Sequence, residues 1–217
     1  MRRVGFEFNQ QFPEMYIPVM VVPDLAAFIL AGGRSTRMGA DKAFVLLAGR
    51  TLLARALDLA RTLTSEVRIV GDPAKFAAFA PVVEDQFPGC GPLAGIHAAL
   101  HSSQTELNLV LAVDTPFLTP ALLRCILGRA KDSESAMVTV PRTAQGWQPL
   151  CAIYRREFAF IAETALRSGQ YKIGALFEEA HAQAIEEPEL QSAGFSSDLF
   201  RNLNTPEDVL QAAREQQ

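Results

Sequence analysis

The sequence predicts a three-layer α/β/α fold of Rossmann-like type, with a mostly parallel central sheet and some antiparallel strands toward the C-terminal half. Three observations carry that expectation. Short apolar runs alternate with longer stretches whose apolar residues recur at helical spacing, which is the pattern of βαβ units. The first run ends in two glycines, and the most apolar run ends in a lone aspartate. Ligands in such sheets bind beyond the carboxyl ends of the strands, so both features fall where a site would form.

Leu25 to Leu30 is apolar throughout and ends in Gly32 and Gly33, which reads as a buried strand feeding a loop. Between Thr51 and Thr64, Leu52, Leu53, Ala56, Leu57, Ala60 and Leu63 recur at helical spacing, with Arg55, Asp58 and Arg61 opposite. Val67 to Val70, Pro81 to Val83 and Leu107 to Val113 read as the next strands. Leu93 to His101 and Pro120 to Ala130 read as helices. After Val140 the pattern weakens. Leu150 to Tyr154 reads as a strand, and Glu157 to Ser168, Ile173 to Ala180 and Thr205 to Arg214 read as helices. No internal repeat, low-complexity tract or linker interrupts the chain, so residues 25 to 217 are expected to form one domain. Residues 1 to 24, with three prolines and no clear period, are expected to be an extension outside it.

Composition narrows the function classes. A formal net charge of -4 and a pI near 5.5 argue against general affinity for nucleic acid. No run approaches the length of a membrane span, and the polar residues after Met1 leave no signal-peptide apolar core. Cys90, Cys125 and Cys151 are an odd, widely spaced set that fits neither a disulfide framework nor a zinc site, so a reducing cytoplasm is the expected setting. His97 and His101 stand one helical turn apart without a third ligand nearby, and they are expected on a helix surface rather than on a metal.

The loop after the first strand has a physical use. Backbone without side chains can approach a phosphate and aim its N–H groups at the oxygens, and Arg37 and Lys42 add positive charge. A glycine-rich turn with solvated basic residues is the alternative. The loop matches neither the Walker pattern nor the dinucleotide fingerprint, which disfavours a P-loop NTPase and an NAD enzyme. Asp114, where the most apolar strand ends, is a hard oxygen ligand suited to a magnesium ion bridging phosphates, or a cap for the helix beginning near Pro120, or a residue of the turn before Pro116. Asp85 either meets a nucleotide base or ribose or starts the turn toward Pro88 and Gly89. Gly91, Pro92 and Leu93 enter a helix. Asn202 and Asn204 alternate about Leu203, which an extended strand would turn to one face, while Thr205 and Pro206 are explained as a helix cap and first turn.

In their order, Leu30, Ala31, Gly32, Gly33, Arg37, Met38, Gly39 and Lys42 resemble the loop of the nucleotidyltransferase family that includes the molybdenum cofactor guanylyltransferases. Asp85 with Gly91 to Gly95, Val113 to Pro116, Gln148 to Leu150 and Asn202 to Asp208 resemble that family's later blocks, so the resemblance runs from about Leu25 to the C-terminus. It implies a nucleotidyltransferase fold and transfer of GMP from GTP to molybdopterin, with Mg2+ on Asp114 and catalytic roles for Arg37, Lys42 and Asp114. It further implies nucleotide contacts from Leu30, Ala31, Gly32, Gly33, Lys42, Gly71, Asp85, Gly91, Pro92, Leu93 and Asp114, and acceptor contacts from Asn202, Asn204 and Lys172. Gly71 stands where the family often has an asparagine, so a backbone contact alone carries over. Molybdoenzymes or other proteins of the cofactor pathway are the implied partners. A cytidylyltransferase for molybdopterin or a sugar or polyol phosphate, and a catalytically silent nucleotide-binding module, are the competing readings. The Leu30-Ala31-Gly32-Gly33 run favours GTP over CTP.

Overall fold

Leu25–Leu30 is buried at every position, as a strand covered on both faces must be, and it forms β1 near the middle of the sheet. Its side chains alternate between two cores: Leu25, Ala27 and Ile29 face one, Ala26, Phe28 and Leu30 the other. The computed structural model describes residues 24–32 and 41–215. Along the chain β1 is followed by a hairpin of β2 (Leu46–Leu47) and β3 (Arg50–Thr51), α1 (Leu52–Arg61), β4 (Val67–Val70), α2 (Pro73–Phe76) and β5 (Val82–Val83). Then come α3 (Pro92–Ser102), β6 (Leu107–Ala112), α4 (Pro120–Asp132), β7 (Val138–Thr143), β8 (Gly146–Trp147) and β9 (Cys151–Arg155). The remainder is α5 (Phe158–Arg167), β10 (Gln183–Glu186), α6 (Glu187–Ser192) and α7 (Pro206–Glu215).

The strand order is β10-β7-β9-β6-β1-β4-β5, with β8 paired to β7. The pairings of β1 with β4 and β6, β4 with β5, and β7 with β10 are parallel, whereas β9 runs antiparallel to both its neighbours. One core packs α1, α4, α6 and α7 on the sheet, and the other packs α3 and α5. The three-layer, mostly parallel architecture and the antiparallel pairing in the later half are thus as the sequence predicts.

Local chemistry fixes the ends of the elements. Thr51 and Thr119 cap α1 and α4 through hydroxyls that accept the amides of Ala54 and Leu122. In the β2–β3 hairpin, Ala48 and Gly49 both have positive φ, 48° and 78°, the requirement of a two-residue turn whose twist matches the strands. Two expectations need correction. The strand β7 was not anticipated, because Pro141 breaks its apolar pattern. Proline is tolerated there because β9 pairs with β7 only at Val138 and Thr139. The helix expected from Ile173 to Ala180 is a short 3-10 turn, Ile173–Leu176, which has no side-chain cap and contains Gly174.

Candidate functional site

The chain leaves β1 toward β4 on one side and returns through α3 to β6 on the other, so the topological switch point lies at the carboxyl ends of β1 and β6. Strand register then determines which residues meet. Leu30 is level with Val70 and Ala112, and Val70 is level with Val83. The ladder continues one step further, with the Ala31 amide donating to Val70 at 3.0 Å, Gly71 to Val83 at 3.0 Å and Val113 to Leu30 at 3.2 Å. One or two residues beyond that row come Gly32, Gly71, Asp85 and Asp114, four separated sequence blocks at one sheet edge.

At this edge Lys42 is the hub. Its Nζ donates to Asp114 Oδ2 at 2.9 Å and to Asn204 Oδ1 at 2.6 Å. The Lys42 and Asp114 side chains retain 20% and 19% exposure, enough to meet a ligand while partly shielded from solvent. Asn204 is held in place by backbone: the Leu203 amide donates to the Asp114 carbonyl at 2.9 Å, pinning this segment beside the end of β6. Asp208 completes the support. One of its carboxylate oxygens accepts the Asn204 and Thr205 amides, both at 2.8 Å, while Thr205 Oγ1 accepts the Asp208 amide at 3.2 Å. These backbone donors hold the Asp208 pKa below its usual value. The Thr205 to Asp208 spacing is that of a capping box, a signal present in the sequence but not read there.

The other predicted positions divide. Leu30 and Ala31 are nearly buried, and Gly32 is exposed at the strand end. Gly33 and Arg37 lie outside the described residues. Asp85 Oδ1 accepts the Phe87 amide at 2.8 Å, so the turn reading accounts for one of its oxygens. Gly91 has φ 76° and ψ -163°, a conformation nearly confined to glycine, and Pro92 begins α3 directly after it. Four residues on, a Cβ at Gly95 would come within 3.1 Å of Leu30, so this glycine lets α3 sit closely on β1. Lys172 is exposed in the loop after α5, and its side chain makes none of the contacts that join Lys42, Asp114 and Asn204. Its neighbour Tyr171 lies against Cys90, and the thiol's hydrogen bond raises the phenol's pKa.

Gly71 has a reason of its own. A Cβ there would lie 2.8 Å from Phe76 Cε2 and 2.9 Å from Phe76 Cδ2, and that ring is 1% exposed. Gly71→Ala is therefore expected to lower unfolding free energy by roughly 1–3 kcal/mol through overpacking, read as a lower urea midpoint at unchanged slope.

His97 corrects an expectation. It is 1% exposed rather than on a helix surface, packed edge-on to Phe87 at 5.1 Å and stacked on His101 at 5.6 Å. Burial lowers its pKa, which favours the neutral ring, and neither nitrogen has a hydrogen-bond partner among the described residues.

Beside Asn204 opens a cleft of about 420 Å³ that the sequence did not reveal, lined by Gln145, Trp147, Gln148, Asp198, Arg201 and Asn202 among others. Trp147 forms a rigid wall. It meets Phe177 edge-on at 4.9 Å, the Arg142 guanidinium lies 4.9 Å from its centroid, and a Cβ at Gly174 would come within 3.3 Å of it. Arg201 is paired with Glu215 and lies 4.4 Å from the centroid of Phe117, three residues beyond Asp114.

Comparison with known proteins bears on this arrangement. Residues 27–184 match the model of the MobA-like NTP transferase domain. The molybdenum cofactor guanylyltransferase of Desulfosudis oleivorans is 35% identical over 191 residues, covering 87% of this chain and 94% of that protein. The enzyme of the same name from Rhodopseudomonas palustris is 35% identical over 208 residues, covering 91% and 97%. The crystal structure of molybdopterin-guanine dinucleotide biosynthesis protein A from Archaeoglobus fulgidus superimposes with a TM-score of 0.76 at 26% identity, covering 88% of this chain and 97% of that one. With a matched domain over most of its length and relatives 35% identical along nearly their whole length, the chain is a nucleotidyltransferase and belongs to the MobA-like NTP transferase family.

Proposed function

We propose that the protein transfers GMP from GTP to the terminal phosphate of molybdenum-carrying molybdopterin, giving the guanine dinucleotide and pyrophosphate. The observation that carries the reading is the Lys42 ammonium held between Asp114 and Asn204 at the switch point, beside a polar cleft large enough for part of a second substrate. The names of the relatives add the nucleotide and the pterin.

An acceptor phosphate oxygen attacks the α-phosphorus of GTP, a new P–O bond forms, and the bond to the bridging oxygen breaks with its electron pair leaving on pyrophosphate. The acceptor phosphate is already a nucleophile, so the protein needs no general base. Its work is alignment and charge stabilisation. Gly32, Gly33 and the amides around them approach the phosphates, and Lys42 and Arg37 offset the growing negative charge. Asp85, Gly71 and the Gly91 to Leu93 turn border the nucleoside. Asn202 and Asn204, with the cleft walls, face the acceptor, and Lys172 is a more distant candidate for the same phosphate.

Asp114 fits a magnesium ion. It is a partly exposed carboxylate at the ligand edge, and no group of three acidic, histidine or cysteine residues is assembled around it among the described residues. Such an ion would therefore take its remaining ligands from phosphates and water, the usual habit of Mg2+. It would neutralise phosphate charge when bound.

No helix among the described residues is long and apolar enough to cross a membrane, which accords with work in the cytoplasm on small molecules and with handing product to molybdoenzymes or other proteins of the pathway. Residues 25–217 then act as one catalytic domain, and residues 1–24 are an extension of it. Incubation with Mg2+, molybdenum-loaded pterin and each of GTP, CTP and UTP is expected to yield dinucleotide chiefly with GTP. Preference for CTP would replace this reading by a cytidylyltransferase, and binding without pyrophosphate release by a silent nucleotide module.

A further inference from the structure

We infer that the short helix α2 is a clamp on the Lys42 turn, with Lys75 and Phe76 as positioning residues that set where the Lys42 ammonium stands. Lys42 begins a 3-10 turn of three residues, Lys42–Phe44, a length with little stability of its own. Its side-chain cap is Asp41, whose Oδ1 accepts the Ala43 amide at 3.2 Å. The other carboxylate oxygen, Oδ2, accepts Lys75 Nζ from α2 at 2.8 Å. On the far side of Lys42, the Phe44 ring stacks on Phe76 of the same helix, with centroids 5.8 Å apart and planes 26° from parallel. Phe79, just beyond α2, meets Phe44 at the same centroid distance. Consequently α2 grips the residue before Lys42 through an ion pair and the residue two beyond it through an aromatic contact.

A clamp must itself be fixed. Asp72 caps α2 by accepting the Ala74 amide at 2.9 Å, Pro73 presets the first turn, and Phe76 is fully buried in the core. Immediately before it stands Gly71, whose missing side chain leaves room for the Phe76 ring. The helix is thus anchored to the end of β4, whose register places it at the same sheet edge as Asp114. The frame that holds Asp114 also holds the base of Lys42.

This arrangement has a distinctive energetic signature. Lys75 is half exposed, and an exposed ion pair contributes little to global stability. Lys42, however, must place one atom at the end of a flexible four-carbon stem between two acceptors, and small misplacements in such sites are costly to rate. Loss of Lys75 should therefore act on turnover more than on folding.

The proposal rests on the transfer reaction above, so its test includes a measurement that needs no substrate. Lys75→Ala is expected to lower kcat by about three- to tenfold with KM for GTP changed less than about twofold, while the melting temperature moves by no more than about 2 °C. Lys75→Arg should recover most of the rate. In Asp41→Asn the pairing charge is already gone, so adding Lys75→Ala should cost nothing further. Independently, hydrogen exchange over residues 41–47 should quicken in Lys75→Ala without ligand. Wild-type kcat together with wild-type exchange in that variant would overturn the clamp, as would a rate loss matched by global destabilisation. If the wild-type chain transfers no nucleotide but the exchange effect is present, the clamp stands and the reaction assigned to the site falls.

Discussion

Asp114→Ala is expected to reduce guanylyl transfer by on the order of a thousandfold, equivalent to about 4 kcal/mol of transition-state stabilisation. The carboxylate stands where β6 reaches the switch point, and it anchors Lys42 as well as offering the oxygen suited to a metal ion. Removing it takes away both at once. The fold should survive, because the Lys42–Asp114 pair is partly solvated and such pairs contribute roughly 0–1 kcal/mol. The Leu203 amide bonds the Asp114 carbonyl rather than its carboxylate, so the 202–204 segment keeps its attachment in the variant. Asp114→Asn should be nearly as inactive, since it keeps shape but loses charge. Kinetics with GTP and pterin, alongside a urea denaturation curve, test both halves. Turnover within tenfold of wild type would remove Asp114 from the centre of the mechanism.

Much of this architecture was legible because burial imposes simple patterns. β1 and β4 were anticipated at their observed limits, since a strand covered on both faces must be apolar at nearly every position. The helices α1, α3, α4, α5 and α7 announced themselves through spacing and caps, to within a few residues. What escaped has physical causes. The hairpin strands are two residues each, too short for a period to show. α2 is four residues long, and its role comes from contacts with a segment more than thirty residues earlier. β7 was hidden by Pro141, and β10 by polar residues at a sheet edge.

The site was legible in a different way. Physical reasoning could say that Asp114 and the glycine loop lie at strand ends, but not that Asn204 reaches Lys42 across 162 positions of sequence. The resemblance to a family assigns each of the two residues a role, and the structure is what joins them. The cleft beside Trp147 was invisible because its walls come from distant segments, 145–148 and 197–204. His97 was misjudged for a related reason. A helix of small apolar residues such as α3 can be buried nearly all round, and periodicity then no longer marks a surface.

Lys42 provides the sharpest test of how charge is used here. Lys42→Ala is expected to lower kcat by about a hundred- to a thousandfold, the range for losing one preorganised donor at a site of developing charge. Unlike Asp114→Ala, it leaves the carboxylate in place and removes the cation. Lys42→Arg asks whether charge alone suffices. The ammonium meets Asp114 at 2.9 Å and Asn204 at 2.6 Å from a single nitrogen, whereas a guanidinium is planar, longer and spreads its donors over a fork. Arginine should therefore restore little, leaving activity at least about tenfold down if point-charge geometry matters. Because Lys42 and Asp114 touch, their losses should not multiply: the double variant is expected to be far less impaired than the product of the two singles. Independent, multiplicative losses would mean that the two residues act separately, and the ion pair would then be incidental to catalysis.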